Sequence, residues 1–139
     1  IHEIVDELHP TEIYLFGFGI GAMVTANVGY LFRADGMLLC SMPPLFNEEL
    51  ARQSKIKRYF GRRKIYLGRN RPAYPNSTIM TKTVFLYSER EKKKLDKILP
   101  LRNSVFKKSR EVFIPSISSL RRKKYFEAVL NEMQSITQK

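Results

Sequence analysis

The 139-residue chain predicts an α/β fold: about four mostly parallel strands flanked by helices. Three features carry that expectation. Four short apolar runs, each too brief for a helix, recur along the chain with intervening segments long enough to cross over a sheet. The runs are continuously apolar rather than alternating, which suits strands covered on both faces, as in parallel sheets. A cluster of glycines, Gly17, Gly19 and Gly21, joins the first run directly to a stretch of small apolar residues with helical character.

In order, Ile1, Ile4, Val5 and Leu8 fall at i, i+3, i+4, i+7 spacing and predict an amphipathic helix over 1–8, closed by Pro10. Residues 12–17 (Glu-Ile-Tyr-Leu-Phe-Gly) read as a strand buried on both faces, hence central in its sheet. Ala22 to Val28 follow as a helix packed closely on that sheet. Gly36 to Ser41 form a second strand, stopped by Pro43 and Pro44, and the βαβ crossover so completed should be right-handed. A short helix over about 47–59 opens an irregular basic excursion at about 45–80. Thr83 to Ser88 are a third strand. Glu89 to Leu99 predict a charged helix with Leu95, Ile98 and Leu99 inward, and Glu111 to Pro115 a fourth strand. The last helix spans 119–136 on an apolar stripe of Leu120, Tyr125, Phe126, Val129, Leu130 and Met133, with Ser118 or Ser119 as N-cap.

Composition narrows the function classes. With 43% apolar residues the chain can bury one modest core, so it is not a disordered tail, and the whole of 1–139 reads as a single domain. No apolar run approaches the roughly 20 residues of a membrane span. One cysteine, Cys40, excludes an internal disulfide or a Cys-based zinc site, and with no signal-like opening it points to the cytoplasm. Charge is strongly uneven. Residues 1–50 carry one basic residue, Arg33, against seven acidic ones, whereas 51–139 carry 24 basic and six acidic residues. A concentrated basic surface attracts nucleic acid, anionic membrane or an acidic protein face.

Gly17-Phe18-Gly19-Ile20-Gly21-Ala22 also fits the G-x-G-x-x-A pattern of a dinucleotide turn. That reading requires an acid at the end of the second strand, where Cys40, Ser41 and Met42 stand, while Asp35 lies at the strand's other end. The pattern therefore implies no nucleotide, and no cofactor is expected.

Taken with their neighbours, the same residues resemble the central part of the α/β-hydrolase fold. The likeness runs through Ile13 to Ala22, Asp35 to Pro44, Val84 to Glu89, Val112 to Ser116 and the closing helix. It implies the C-terminal half of that fold, with nucleophile elbow, cap insertion, acid-bearing strand end and histidine loop in sequence. The elbow pattern G-x-S-x-G presents a serine to a histidine base beside backbone N–H donors. Here Gly19 stands at the serine position, Ile20 supplies the oxyanion N–H position, and Glu89 or Glu91 occupies the acid position. Ser118 and Ser119 stand where the histidine loop should be. His2 and His9 both precede the elbow strand and have no clustered Asp, Glu or Cys at metal spacing.

The resemblance thus implies a catalytically degenerate hydrolase-like domain with a structural or interaction role. In the family the elbow strand is central, so a missing N-terminal segment or a partner chain is expected to pair with residues 12–17. One alternative is a serine ester hydrolase or acyltransferase with its nucleophile mutated at Gly19 and its base elsewhere. Another is a basic module binding nucleic acid or an acidic partner. Its candidate contacts are Lys55, Lys57, Arg58, Arg62, Arg63, Lys64, Arg69 and Arg71, interleaved with Tyr59, Phe60 and Tyr66.

Overall fold

A computed structural model describes residues 2–42, 78–96 and 99–138. Its elements are α1 (His2–Leu8), β1 (Tyr14–Phe18), α2 (Ile20–Phe32), β2 (Gly36–Cys40), β3 (Lys82–Ser88), a 3₁₀ turn (Glu89–Glu91), α3 (Lys92–Leu95), α4 (Leu99–Val105), β4 (Ser109–Ile114) and α5 (Lys123–Thr137). The four strands form one sheet in the order β1-β2-β3-β4, every neighbouring pair parallel. The α/β class read from the apolar runs is therefore the observed one. The helix expected at 47–59, and with it most of the basic excursion, lies outside the described residues.

The central strands behave as continuous apolar runs should. All five residues of β2 are buried, and in β3 only Lys82 is exposed. Their side chains divide by parity. Met37, Leu39, Phe85 and Tyr87 face a core completed by Met23 and Ala26 of α2, Leu95 of α3 and Phe106 after α4. Leu38, Cys40, Val84 and Leu86 face the other core, completed by Tyr125, Val129 and Ile136 of α5. Within the first core Arg102 is fully buried, paired with Glu111, its guanidinium 4.1 Å from the centre of the Phe85 ring. That cation sits in an apolar layer because a carboxylate and a ring face both meet it.

Several local expectations give way to packing. β1, apolar as a central strand is, forms one edge of the described sheet, the place expected for it while its pairing segment is missing, and Phe16 is 39% exposed. The predicted stripe of α1 is not buried: Ile4 and Leu8 are both exposed. Within the helix expected over 89–99, the described residues form the 3₁₀ turn, α3 and the first residue of α4, and Glu91 turns back to close a capping box on Ser88. The last helix begins at Lys123 with Arg122 as N-cap, so neither Ser118 nor Ser119 caps it. Of its predicted stripe, Tyr125 and Val129 are buried, whereas Leu120, Phe126, Leu130 and Met133 are 40–46% exposed. Arg110 of β4 reaches Glu132 and Ser135, anchoring one flank of α5 toward β4. By helical periodicity Phe126, Leu130 and Met133 then lie on the opposite flank, on the β1 side of the sheet.

The junction of β1 and α2 is the tightest in the fold. A Cβ placed on Gly17 would come within 2.6 Å of the Ala22 Cα and 2.8 Å of the Gly21 carbonyl, whereas one on Gly21 would meet open space. These neighbours predict opposite outcomes for the same substitution. Gly17→Ala should destabilise by about 2 kcal/mol through overpacking against the helix backbone. Gly21→Ala, inside α2, should stabilise by roughly 0.5–1 kcal/mol through helix propensity. Urea denaturation of both variants checks the pair.

Candidate functional site

The carboxyl ends of the four parallel strands meet at one rim of the sheet, where ligands of open α/β sheets commonly bind. At the end of β1, Gly19 has φ 58° and ψ −127°, a combination closed to residues with a Cβ unless the surroundings enforce it. Its N–H donates to the Cys40 carbonyl (2.9 Å) and its carbonyl accepts from the Ala22 N–H (3.0 Å). A Cβ on Gly19 would meet nothing within 4 Å, so the turn presents this position to open space. Ile20 is the first residue of α2, where backbone N–H groups have no acceptor within the helix. The strand, tight turn and helix expected of an elbow are present, with glycine at its apex.

One residue after β2, Ser41 has φ 49°, a left-handed conformation uncommon for serine. Its hydroxyl lies 2.7 Å from the Tyr125 hydroxyl and 3.5 Å from Glu91 Oε2. That carboxylate oxygen is the hub of the rim. It accepts from the Ser88 N–H at 2.8 Å as one half of a capping box, from the Ser88 hydroxyl at 3.1 Å, and from the Ser118 hydroxyl. Donors from the ends of β2, β3 and β4 thus converge on a single oxygen, which leaves it little further acceptor capacity.

The sequence-derived site residues separate accordingly. Glu91 and Ser118, at the expected acid and histidine positions, are in direct contact. Glu89 is exposed and holds none of these serines. Ser119 turns away and accepts from the Arg121 N–H at 3.3 Å. His9 is exposed ahead of the amino end of β1, so it cannot serve the rim at the strand's far end. Among the described residues no group of three or more His, Cys, Asp or Glu could hold a metal. The cationic candidates Lys55 to Arg71 lie outside the described residues.

Ser41, Ser88 and Tyr125 were not foreseen. Ser88-x-x-Glu91 is a capping-box spacing that could have revealed Ser88, whereas Tyr125 looked like an ordinary core residue. Nothing local marks Ser41, whose role depends on the register that sets β2 beside β3.

The rim is partly desolvated. Burial pushes the Cys40 thiol up to about 12, partly offset by the Tyr125 hydroxyl, and burial likewise raises the Tyr125 phenol above its ordinary value. Both groups are held neutral. Beside the rim, Glu89, Arg90, Ser116 and Arg122 line an open cavity of about 370 Å³.

No protein-family model and no curated protein matches the chain. Among solved structures it is similar to an esterase from Pyrococcus furiosus, at 11% identity with a TM-score of 0.61. The match covers 99% of this chain and 59% of the esterase, so the chain spans less than two thirds of that protein. Among the described residues no helix is long and apolar enough to cross a membrane.

Two outcomes follow from the rim. Glu91→Gln, which exchanges a charged acceptor for a weaker neutral one, should cost about 2 kcal/mol in thermal or urea unfolding. Because the folded thiol titrates well above its unfolded value, its contribution to stability is complete below about pH 9 and lost as pH rises toward 12. Native Cys40 should accordingly resist iodoacetamide at pH 8 and react once the chain is unfolded, as intact mass will record.

The fold on which this rim is built, four parallel strands in one sheet flanked by helices, is thus an α/β fold similar to that of the esterase.

Proposed function

We propose that this chain is a catalytically degenerate hydrolase-like domain with a structural or interaction role. The observation that carries the reading is the contact between Ser118 and Glu91. In a hydrolase rim a histidine would stand between acid and nucleophile, accepting the serine proton while the acid holds its ring. Here serine hydroxyls and the Ser88 N–H satisfy the acid, and Gly19 at the elbow offers no oxygen to attack a carbonyl. Such a rim can hold its loops together, but neither Gly19 nor Ser118 can move a proton.

The interaction part of the proposal rests on β1, an edge strand among the described residues. A parallel strand at an open edge offers unpaired main-chain groups and invites a further strand. We assign that place to a polypeptide segment, preceding this one or from a partner chain, which pairs along residues 12–17. The exposed flank of α5 at Phe126, Leu130 and Met133 lies on the same side and would be covered with it.

Hydrolysis of 4-nitrophenyl butyrate and labelling by a fluorophosphonate tests the catalytic part. The expected result is no rate above buffer and no labelled serine. A labelled serine together with turnover, above all at Ser41, overturns the reading and restores the ester-hydrolase alternative. Carrying Gly19→Ser and Ser118→His together should create measurable, histidine-dependent labelling at residue 19 if these positions occupy the roles assigned to them.

A further inference from the structure

At the opposite rim, where β2, β3 and β4 begin, an open cavity of about 720 Å³ is lined by Arg33, Lys82 and Lys108, with Tyr30, Leu31 and Met80 supplying apolar wall. Its lining acid, Asp35, is already engaged, accepting the Ile13 N–H at 2.7 Å. Among the described residues none of the three cations has an ion-pair partner. Lys82 and Lys108 lie one step before the Thr83–Ser109 pair of the β3–β4 register, so two residues of like charge are neighbours along the cavity wall. Such a neighbouring pair is unfavourable unless something negative lies between its members. Arg33 is unusual in a second, independent way. It terminates α2 in the left-handed conformation, φ 52° and ψ 48°, where glycine is the ordinary choice. A long cationic side chain has been kept at a backbone position that disfavours it, and it lines this cavity.

We propose that this cavity binds a phosphate monoester bearing an apolar or aromatic group. Three cations around one recess match a dianionic phosphate better than a single carboxylate, and the arginine fork adds directional donors to the two lysines. The cavity is of the size usual for small ligands. Tyr30, Leu31 and Met80 provide the surface on which the ester group rests. Free phosphate esters and the phosphate headgroup of a lipid share this chemistry.

Heteronuclear NMR titration of the full chain with phenyl phosphate, with inorganic phosphate, and with vesicles containing phosphatidic acid tests the proposal and separates the sources. Phenyl phosphate should bind more tightly than inorganic phosphate and shift the amides around Arg33, Lys82 and Lys108. Binding to the vesicles alone, through the same residues, assigns the site to a lipid headgroup. Lys82→Gln and Lys108→Gln should each weaken binding roughly fivefold. Arg33→Gly separates ligand from fold: it should weaken binding while leaving the melting temperature unchanged or raised, because glycine relieves the left-handed backbone. Shifts confined to the basic stretch Arg121 to Lys124, binding that the variants do not alter, or no binding to any probe overturns the site. Equal affinity for inorganic and phenyl phosphate overturns the assignment of an ester.

Discussion

The carboxyl rim depends on one oxygen atom. Glu91 Oε2 gathers donors from the segments that follow β2, β3 and β4, and Ser41 extends the network to Tyr125 of α5. Sheet register brings these loops near one another, but register alone does not fix their ends. The carboxylate does so by giving several otherwise unsatisfied hydroxyls and an N–H a common acceptor in a partly buried place. Tyr125 then sets where α5 begins its course across the sheet, and its ring packs edge-on against Phe18 at 6.0 Å. The turn after β1 is thereby linked to the same rim.

Coverage of the sheet follows from handedness. Right-handed crossovers running in one direction place α2 and the α3–α4 segment on the same face. Among the described residues the other face is covered by α5, packed over β2, β3 and β4. Four strands at about 4.8 Å spacing span roughly 14 Å, whereas one helix with its side chains is about 10 Å wide. A single helix cannot cover all four. It packs most closely over β2, with Arg110 of β4 holding Glu132, and inward side chains of both outer strands, Tyr14 and Phe18 of β1 and Val112 of β4, stay half-buried.

What could be read in the sequence was what side-chain polarity decides. Met37 to Cys40 and Val84 to Tyr87 announce strands covered on both faces, and the closely spaced glycines announce a turn, made at Gly19, beside a close helix approach that leaves no room for a larger residue at Gly17. What could not be read was what depends on neighbours distant in sequence. Ile4 and Leu8 form a good helical stripe, yet nothing in a stripe states whether a surface exists to receive it. Arg102 looks like any cation of the basic half until Glu111 and Phe85 enclose it. At the rim, Glu91 and Ser118 were legible as candidates, alongside Glu89 and Ser119. Their direct contact was not, because it depends on how two loops fold back over the sheet. That one carboxylate gathers Ser41, Ser88 and Ser118 is visible only in three dimensions.

Strand order has a kinetic corollary. No two neighbouring strands are joined by a hairpin, and even at the start of the nearest pair Ile13 meets Asp35 across 22 residues. The pairing of Gly36 with Lys82 closes a longer loop that carries the whole basic excursion. Each closure costs chain entropy before any strand contact repays it, which slows parallel sheets relative to meanders of equal size. The β1–α2–β2 unit has the shortest closure and the tightest internal packing, so it is the natural nucleus, and β3 and β4 must find it through diffusion of a long tether. Shortening that tether would therefore be felt first in the refolding rate and only weakly in the equilibrium stability.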